Sequence, residues 1–240
     1  MNLSVVVPLH NEEPNIERLL ATVVPSLERN PLVDQFEVIC VDDGSTDGTA
    51  RLLAAARSPS VVVVTLPRRS GQSAALARGI GAARYDVIGR LDGDLQTSPD
   101  DFEHLLPWLD RGFDCAHGVR QKRQDTMVRR LSSRIANGIR RRVLGDAFQD
   151  ISCPLTVFRK RCVDNLTLFD SFHRYLPFLI RMQGYPVTQV PVRHFPRVAG
   201  RTKYGIANRV GVGLVSLFVV RWLSRRHLSR GAGVEDERPT

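Results

Sequence analysis

Asp92 and Asp94, two positions apart in "RLDGDLQTSPDDF", are followed by Gln96 just beyond the end of an apolar run, "YDVIG". Carboxylate and amide oxygens are hard donors of the kind Mg2+ and Mn2+ take. Such ions use one or two carboxylates while phosphate oxygens complete the shell. The spacing therefore suits a divalent cation that holds a phosphorylated substrate. It also suits a plain turn, because Asp-Gly is a common turn pair. A second acidic group, Asp42 and Asp43 in "VDDGSTDGT", carries two readings of its own. One is a strand-to-helix turn in which Ser45, Thr46 or Asp47 caps a helix. The other is a set of acceptors for the donor groups of a ribose or nucleobase. A third group, "PLHNEE", sets His10, Glu12 and Glu13 before a helix pattern, where acids also favour the helix dipole.

The elements around these groups explain why they could meet. "LSVVVPL", "FEVICVDD", "SVVVVTL" and "YDVIGRLD" are nearly continuous apolar runs, as expected of strands buried on both faces of a parallel sheet. Between them lie helix patterns: "PNIERLLATVVPSLERN", "TDGTARLLAAAR" and "SGQSAALARGIGAARY". Alternation of this kind implies βαβ crossovers in one open α/β sheet with helices on both faces. Ligands in such sheets sit beyond the carboxyl ends of the strands, and three of the four ends are acidic. After Gln96, a helix is predicted with Ser98 as its cap, Pro99 at its first position and Asp101 completing the cap. Further strands are predicted in "FDCAHGVR" and "CPLTVFRK", a helix in "HRYLPFLIRMQGY", and an alternating run that becomes a polar loop in "PVTQVPVRHFPRVAGRTKYG".

Several function classes are disfavoured. No GxGxxG follows the first strand and no GxxxxGK[ST] occurs, so neither a dinucleotide-binding domain nor a P-loop is supported. "GIGAAR" lies inside a predicted helix, where glycines serve packing. Cys40, Cys115, Cys153 and Cys162 have no CxxC spacing, which argues against zinc and against a disulfide scaffold and favours a reducing compartment. The N-terminus lacks the basic start of a signal peptide. No run reaches the ~20 apolar residues of a spanning helix. The chain is thus expected to be cytoplasmic, without crossing a membrane by itself.

The 240 residues carry 34 Lys and Arg against 25 Asp and Glu, a formal net charge of +9, which points to a polyanionic partner. Residues 120–142 hold nine of these cations and one acid. From about Thr126 they read as a basic amphipathic helix with Leu131, Ile135, Ile139 and Val143 on its apolar side, suited to an anionic lipid surface. "HFPRVAGRTKYG" offers His194, Arg197, Arg201 and Lys203 around a glycine, as a loop that closes over phosphates could. Nucleic acid is not expected, because the strand-end acids would repel its backbone.

The order "VVVPLHNEEPNI", "VDDGSTDGT", "RRSGQSAALARGIGAA", "LDGDLQTSPDDF" and "GRTKYG" resembles family 2 inverting glycosyltransferases of GT-A fold. More narrowly, it is similar to the dolichol-phosphate mannosyltransferase branch and its bacterial polyprenyl-phosphate relatives, over about residues 3–205. The resemblance implies nucleotide-holding positions at Pro8, His10, Glu12, Asp42 and Asp43. It implies a Mg2+ or Mn2+ site at Asp92, Asp94 and Gln96, with Asp94 and Gln96 foremost as direct ligands. Arg120, Ser133 and Arg134 match positions that meet a lipid phosphate. Arg201 and Lys203 match the loop over the donor diphosphate and acceptor phosphate. Asp150 matches the acid of a family "D-x-x-G-x-x-R" segment. Here its glycine and arginine are Cys153 and Thr156, so neither a dolichol-type mannosyl donor nor an arginine contact is implied at that point.

The implied reaction moves a sugar from a nucleotide diphosphate sugar to polyprenyl phosphate, undecaprenyl or dolichyl, with Asp92, Asp94 and Arg201 in the catalytic set. Phosphate is already anionic at neutral pH, so no general base is required, and Asp150 is the fallback. A hydroxyl acceptor, the alternative, would make a base indispensable. A non-catalytic basic module that binds membrane or nucleic acid is the more distant alternative. The implied organisation is a GT-A domain over 1–205, with a nucleotide and metal half (1–98) and an acceptor half (99–205). An amphipathic membrane-associated helix over 206–228 and a disordered tail over 229–240 follow. Attachment is expected to be peripheral, on the inner membrane face, with a separate integral-membrane partner as a further possibility.

Overall fold

The computed structural model describes residues 1–121, 137–164, 166, 169–196 and 206–226. The alternating half folds as its pattern predicts: β1 Asn2–Leu9, α1 Ile16–Arg29, β2 Gln35–Asp42, α2 Thr49–Ala55, β3 Val61–Thr65, α3 Gln72–Ala82 and β4 Val87–Arg90. The second half adds two short helices, α4 Phe102–Leu105 and α5 Pro107–Asp110, then β5 Cys115–Arg120. Residues 137–144 are helical (α6). β6 Thr156–Arg159, α7 Leu176–Met182, β7 Val187–Val192 and α8 Ile206–Arg226 complete the described elements. The start of the predicted basic helix, residues 126–136, lies outside the described residues.

The strands form one sheet in the order β3-β2-β1-β4-β6-β5-β7. β1 lies parallel to β2 and β4, and β2 to β3. β6 is antiparallel to both β4 and β5, and β5 is parallel to β7. Six described strands therefore run one way and β6 runs against them. β1 shows why a parallel centre needs apolar runs: Leu3, Val5, Val6 and Val7 are all fully buried. Its odd-numbered residues Leu3, Val5 and Val7 face one core with α1 and α4. Val6 faces the other, with α3, α7 and α8. Period-two alternation thus feeds two cores, and helices cover both faces.

Gly79 of α3 sits where a Cβ would come 2.3 Å from Val6 Cγ1, so its lack of a side chain lets α3 lie close on the sheet. The N-cap of α2 is Gly48 and not one of the predicted residues, although Asp47, just before it, accepts the Thr49 N–H on Oδ1 at 3.0 Å. The predicted helix after Gln96 is broken instead. Ser98 Oγ does accept the Asp100 N–H, but a single 3-10 turn, Pro99–Asp101, precedes the short α4 and α5. Asp101, expected to complete the cap, turns to Arg193. It accepts from Arg193 N–H and Nε–H, both at 2.7 Å. Fully buried, the carboxylate gains more from charge-assisted bonds than from an exposed turn.

Gly44 locks the loop after β2 against the loop after β3. Its φ is +59°, and a Cβ there would lie 2.4 Å from the Arg68 carbonyl carbon and 2.5 Å from Arg69 N. Left-handed backbone and main-chain contact both exclude a side chain. Gly44→Ala is expected to lower unfolding free energy by about 2 kcal/mol in chemical denaturation; an unchanged midpoint would show that the two loops are not locked.

Candidate active site

In the order β3-β2-β1-β4 the sheet reverses direction of growth at β1, and the crevice beyond the carboxyl ends of β1 and β4 is where open α/β sheets bind ligands. A cavity of about 160 Å3 lies there. Pro8, His10 and Glu12 reach it from the end of β1, Asp43 from β2, Arg69 and Gln72 from the β3–α3 connection, and Asp92 and Asp94 from β4. Six of the residues implied from sequence as nucleotide- or metal-holding, Pro8, His10, Glu12, Asp43, Asp92 and Asp94, therefore share its wall. Asp42 and Gln96 do not line it.

Each carboxylate is held by a specific donor. Asp43 receives the N–H groups of Ser70 (2.6 Å) and Gly71 (2.8 Å), which fixes the turn into α3. Its carbonyl accepts from His10 Nδ1 at 2.8 Å. Asp42 is buried and accepts the Ser45 N–H at 3.1 Å. Glu12 Oε2 accepts from Asn15 Nδ2 at 2.7 Å, and Glu13 Oε2 accepts the Gly48 N–H at 2.9 Å. Asp92 Oδ1 accepts from Gln72 Nε2 at 2.8 Å and lies 3.6 Å from Arg90 Nη2. Burial raises the Asp92 carboxyl above its ordinary value, Arg90 pulls it down and Asp94 pushes it up. Asp94 Oδ1 accepts the Gln96 N–H at 3.2 Å across Leu95, whose φ of +52° is unusual for leucine. The Leu95 side chain packs on the core around α1, which holds that strained turn in place.

Gln96 belongs to a second contact. Its carbonyl accepts the Phe195 N–H at 2.9 Å and His194 Nδ1 at 3.0 Å. The segment after β7 is thereby fastened to the Asp92–Gln96 turn. Residues 197–205, with Arg201 and Lys203, lie outside the described residues, as do Ser133 and Arg134.

Arg120 and Asp150, implied as a phosphate contact and a fallback base, are bound to each other. Nε to Oδ2 is 2.7 Å and Nη2 to Oδ1 is 2.9 Å, a two-pronged pair. Burial works against the Arg120 charge, but the facing Asp150 carboxylate more than compensates, so the Arg120 pKa is raised. Asp150 is therefore an anchored carboxylate and not a freely presented base. Its carbonyl takes the Nε2–H of His117 (2.8 Å), whose Nδ1 accepts from Thr156 Oγ1 (2.8 Å).

As donor chemistry, the pair Asp92 and Asp94 fits a hard divalent cation that draws its other oxygens from a diphosphate. No group of three or more His, Cys, Asp or Glu gathers among the described residues, so an all-protein cage is not what this site offers. Sequence reasoning passed over Arg90, Gln72, Ser73 and His173. The available signal was an arginine inside an otherwise apolar strand, "VIGRL".

An open sheet with six parallel strands and one reversed strand, acid-lined at its switch point, is a GT-A-like architecture. The chain belongs to glycosyl transferase family 2, whose sequence model matches residues 4–167. It is 32% identical over 213 residues to the undecaprenyl-phosphate 4-deoxy-4-formamido-L-arabinose transferase of Edwardsiella ictaluri, covering 88% of this chain and 65% of that protein. To the protein of the same name from Salmonella choleraesuis it is 31% identical, covering 88% and 64%. The chain thus spans just under two thirds of the length of these relatives. In fold it is similar to glucosyl-3-phosphoglycerate synthase from Mycobacterium tuberculosis (TM-score 0.69, 22% identity, 97% of this chain and 83% of that one). It is also similar to a mannosyltransferase from Pyrobaculum calidifontis solved with GDP-Man and Mn2+ (TM-score 0.67, 22% identity, 95% and 65%).

Two buried histidines give the protein a pH signature. Burial pushes His117 down to about 4 and His173 down to about 2. In the unfolded chain both titrate near 6.5. Below that pH the unfolded state binds more protons, so the stability present above about 6.5 is lost on acidification. The His117 share is spent by about pH 4, while the His173 share continues to fall. Denaturation at a series of pH values is expected to show a slope of roughly two protons between pH 6 and 4.5, and roughly one in His173→Asn; a flat profile would contradict neutral burial of both rings.

Proposed function

We propose that the protein transfers a sugar, with inversion, from a nucleotide diphosphate sugar to a polyprenyl phosphate at a membrane face. The observation that carries this reading is the convergence of Asp43, Asp92 and Asp94 with His10, Glu12 and Arg69 on one cavity at the sheet's switch point. The names of the relatives support the acceptor class, and the complexes solved for the fold neighbours support a nucleotide sugar with Mn2+.

In this reading Pro8, His10, Glu12 and Asp43 hold the nucleotide, with Asp42 bracing the loop from behind. Asp94, Oδ2 of Asp92 and Gln96 would hold Mg2+ or Mn2+. When bound, that cation supplies positive charge opposite the diphosphate that leaves. The acceptor phosphate oxygen attacks the anomeric carbon as the bond to the diphosphate oxygen breaks on the opposite face. The nucleophile is already anionic, so positioning and not proton removal is what the chain contributes. The engagement of both Asp150 oxygens by Arg120 agrees with that. Arg120 spends Nε and Nη2 on Asp150 and Ser152, so a lipid phosphate would meet its Nη1 face. Ser133, Arg134, Arg201 and Lys203 are assigned to the acceptor and diphosphate by their place in the family motifs.

Membrane contact is assigned to α8. Val215, Phe218 and Trp222 are exposed, at 65%, 67% and 57%, while Leu217 and Val220 pack into the core. Arg221, Arg225 and Arg226 flank that apolar face, with Arg226 over the Trp222 ring at 5.2 Å. Apolar side chains beside arginines suit an anionic interface. No helix among the described residues is long and apolar enough to cross a membrane. The proposed site of action is the inner membrane face, with an integral-membrane partner as a further candidate.

The test is transfer of radiolabelled sugar from a panel of UDP- and GDP-sugars into organic-extractable undecaprenyl phosphate carried in anionic vesicles. Label should enter the lipid phase only with Mg2+ or Mn2+, fall at least about a hundredfold in Asp94→Ala, and fall in parallel with vesicle binding in Phe218→Ser/Trp222→Ser. Label in water-soluble products alone, abolished by Asp150→Asn, would replace this reading with a hydroxyl acceptor and a general base.

A further inference from the structure

Arg90 is the last residue of β4 and is 3% exposed. Strand alternation puts Ile88, Arg90 and Asp92 on one face of the sheet, and Ile88 belongs to the apolar core beneath α3 and α7. A cation in that position must be compensated, and here the compensation is incomplete. Nη1 donates to the His173 carbonyl at 2.5 Å, Nη2 stands 3.6 Å from Asp92 Oδ1, and Nε has no hydrogen-bond partner among the described residues. A side chain retained only for stability would be poorly served by such an arrangement, because a buried N–H without an acceptor is costly.

The geometry at Asp92 supplies the reason. Gln72 Nε2 and Arg90 Nη2 both fall on Oδ1. Oδ2 is then the oxygen left for the cavity that Asp92 lines. The clamp is itself anchored across the fold. The His173 carbonyl holds Arg90, and the His173 ring holds Ser73 Oγ at 2.7 Å, next to Gln72. Ser73 Oγ also accepts the Ser171 N–H at 2.8 Å, in a turn where Ser171 has a φ of +74°. One rigid unit therefore joins the start of α3, the turn before α7 and the end of β4.

We infer that Arg90 is a positioning residue, which with Gln72 pins Oδ1 of Asp92 from inside the core so that Oδ2 is presented to the nucleotide diphosphate or its cation. The inference rests on the proposed function. Arg90 touches neither substrate nor cation and acts only through Asp92.

A double-mutant cycle isolates that route. UDP and GDP binding at fixed Mn2+ is measured by isothermal titration in the wild-type protein, Arg90→Met, Asp92→Asn and the double variant. Arg90→Met should weaken binding by about tenfold when Asp92 is present and by no more than about twofold in the Asp92→Asn background. Arg90→Lys keeps a charge in the core but cannot fork to two acceptors, and should lie between. It and Gln72→Leu leave the buried charge in place, so the same cycles can be run on them should Arg90→Met fail to fold. Equal losses in both backgrounds, or no loss in either, would overturn the inference while leaving the proposed function standing. Failure of the wild-type protein to bind either nucleoside diphosphate with Mn2+ would overturn both.

Discussion

A carboxylate at the end of a buried strand has lost most of its water, and the site is organised around replacing it. Asp42 is given the Ser45 N–H, Asp43 those of Ser70 and Gly71, and Asp94 that of Gln96. Asp92, just beyond the end of β4, is given Gln72 and the buried charge of Arg90. The bonds to Asp42, Asp43 and Asp94 also fix loops, because Ser45, Ser70, Gly71 and Gln96 belong to the connections that follow the strands, while those to Asp92 tie it to the start of α3 and the end of β4. The cleft walls are thus held by the same interactions that make their acids tolerable.

The same rule shapes the far half of the sheet. β6 runs against its neighbours, and across it Arg120 at the end of β5 meets Asp150 in the approach to β6. Asp101 and Asp100 receive Arg193 at the end of β7, which ties the segment leading toward residues 197–205 to the turn after Gln96. The two halves meet at the β4–β6 pairing in the middle of the sheet and through the Gln96 carbonyl, which accepts from Phe195 N–H and His194 Nδ1.

Much of the alternating half was legible in the sequence because its signals are local. "LSVVVPL" and the "VICV" of "FEVICVDD" are apolar at nearly every position, as strands buried on both faces of a parallel sheet are. "VDDGSTDGT" and "LDGDLQ" declared polar strand ends, and four of the five family motifs supply residues that line the cleft, the fifth, "GRTKYG", lying outside the described residues. Pairings between distant segments were not legible. Asp101 read as part of a helix cap until its partner, 92 residues away in sequence, was in view. Arg120 and Asp150 read as two separate roles, yet they neutralise each other over 30 residues. Arg90 was absorbed into an apolar run because strand periodicity says which face a side chain takes and not why a charge is tolerated there.

In the proposed function, Asp94 and Asp92 end their strand in acids so that a divalent cation and a diphosphate can be held together. Thermal unfolding with Mn2+ alone, UDP or GDP alone, and the two combined tests it most directly, in the wild-type protein beside Asp94→Ala. The combination is expected to raise the wild-type midpoint by about 5 °C at saturating ligand, each component alone to do far less, and Asp94→Ala to lose the combined effect. An equal rise without the metal, or in Asp94→Ala, would contradict it.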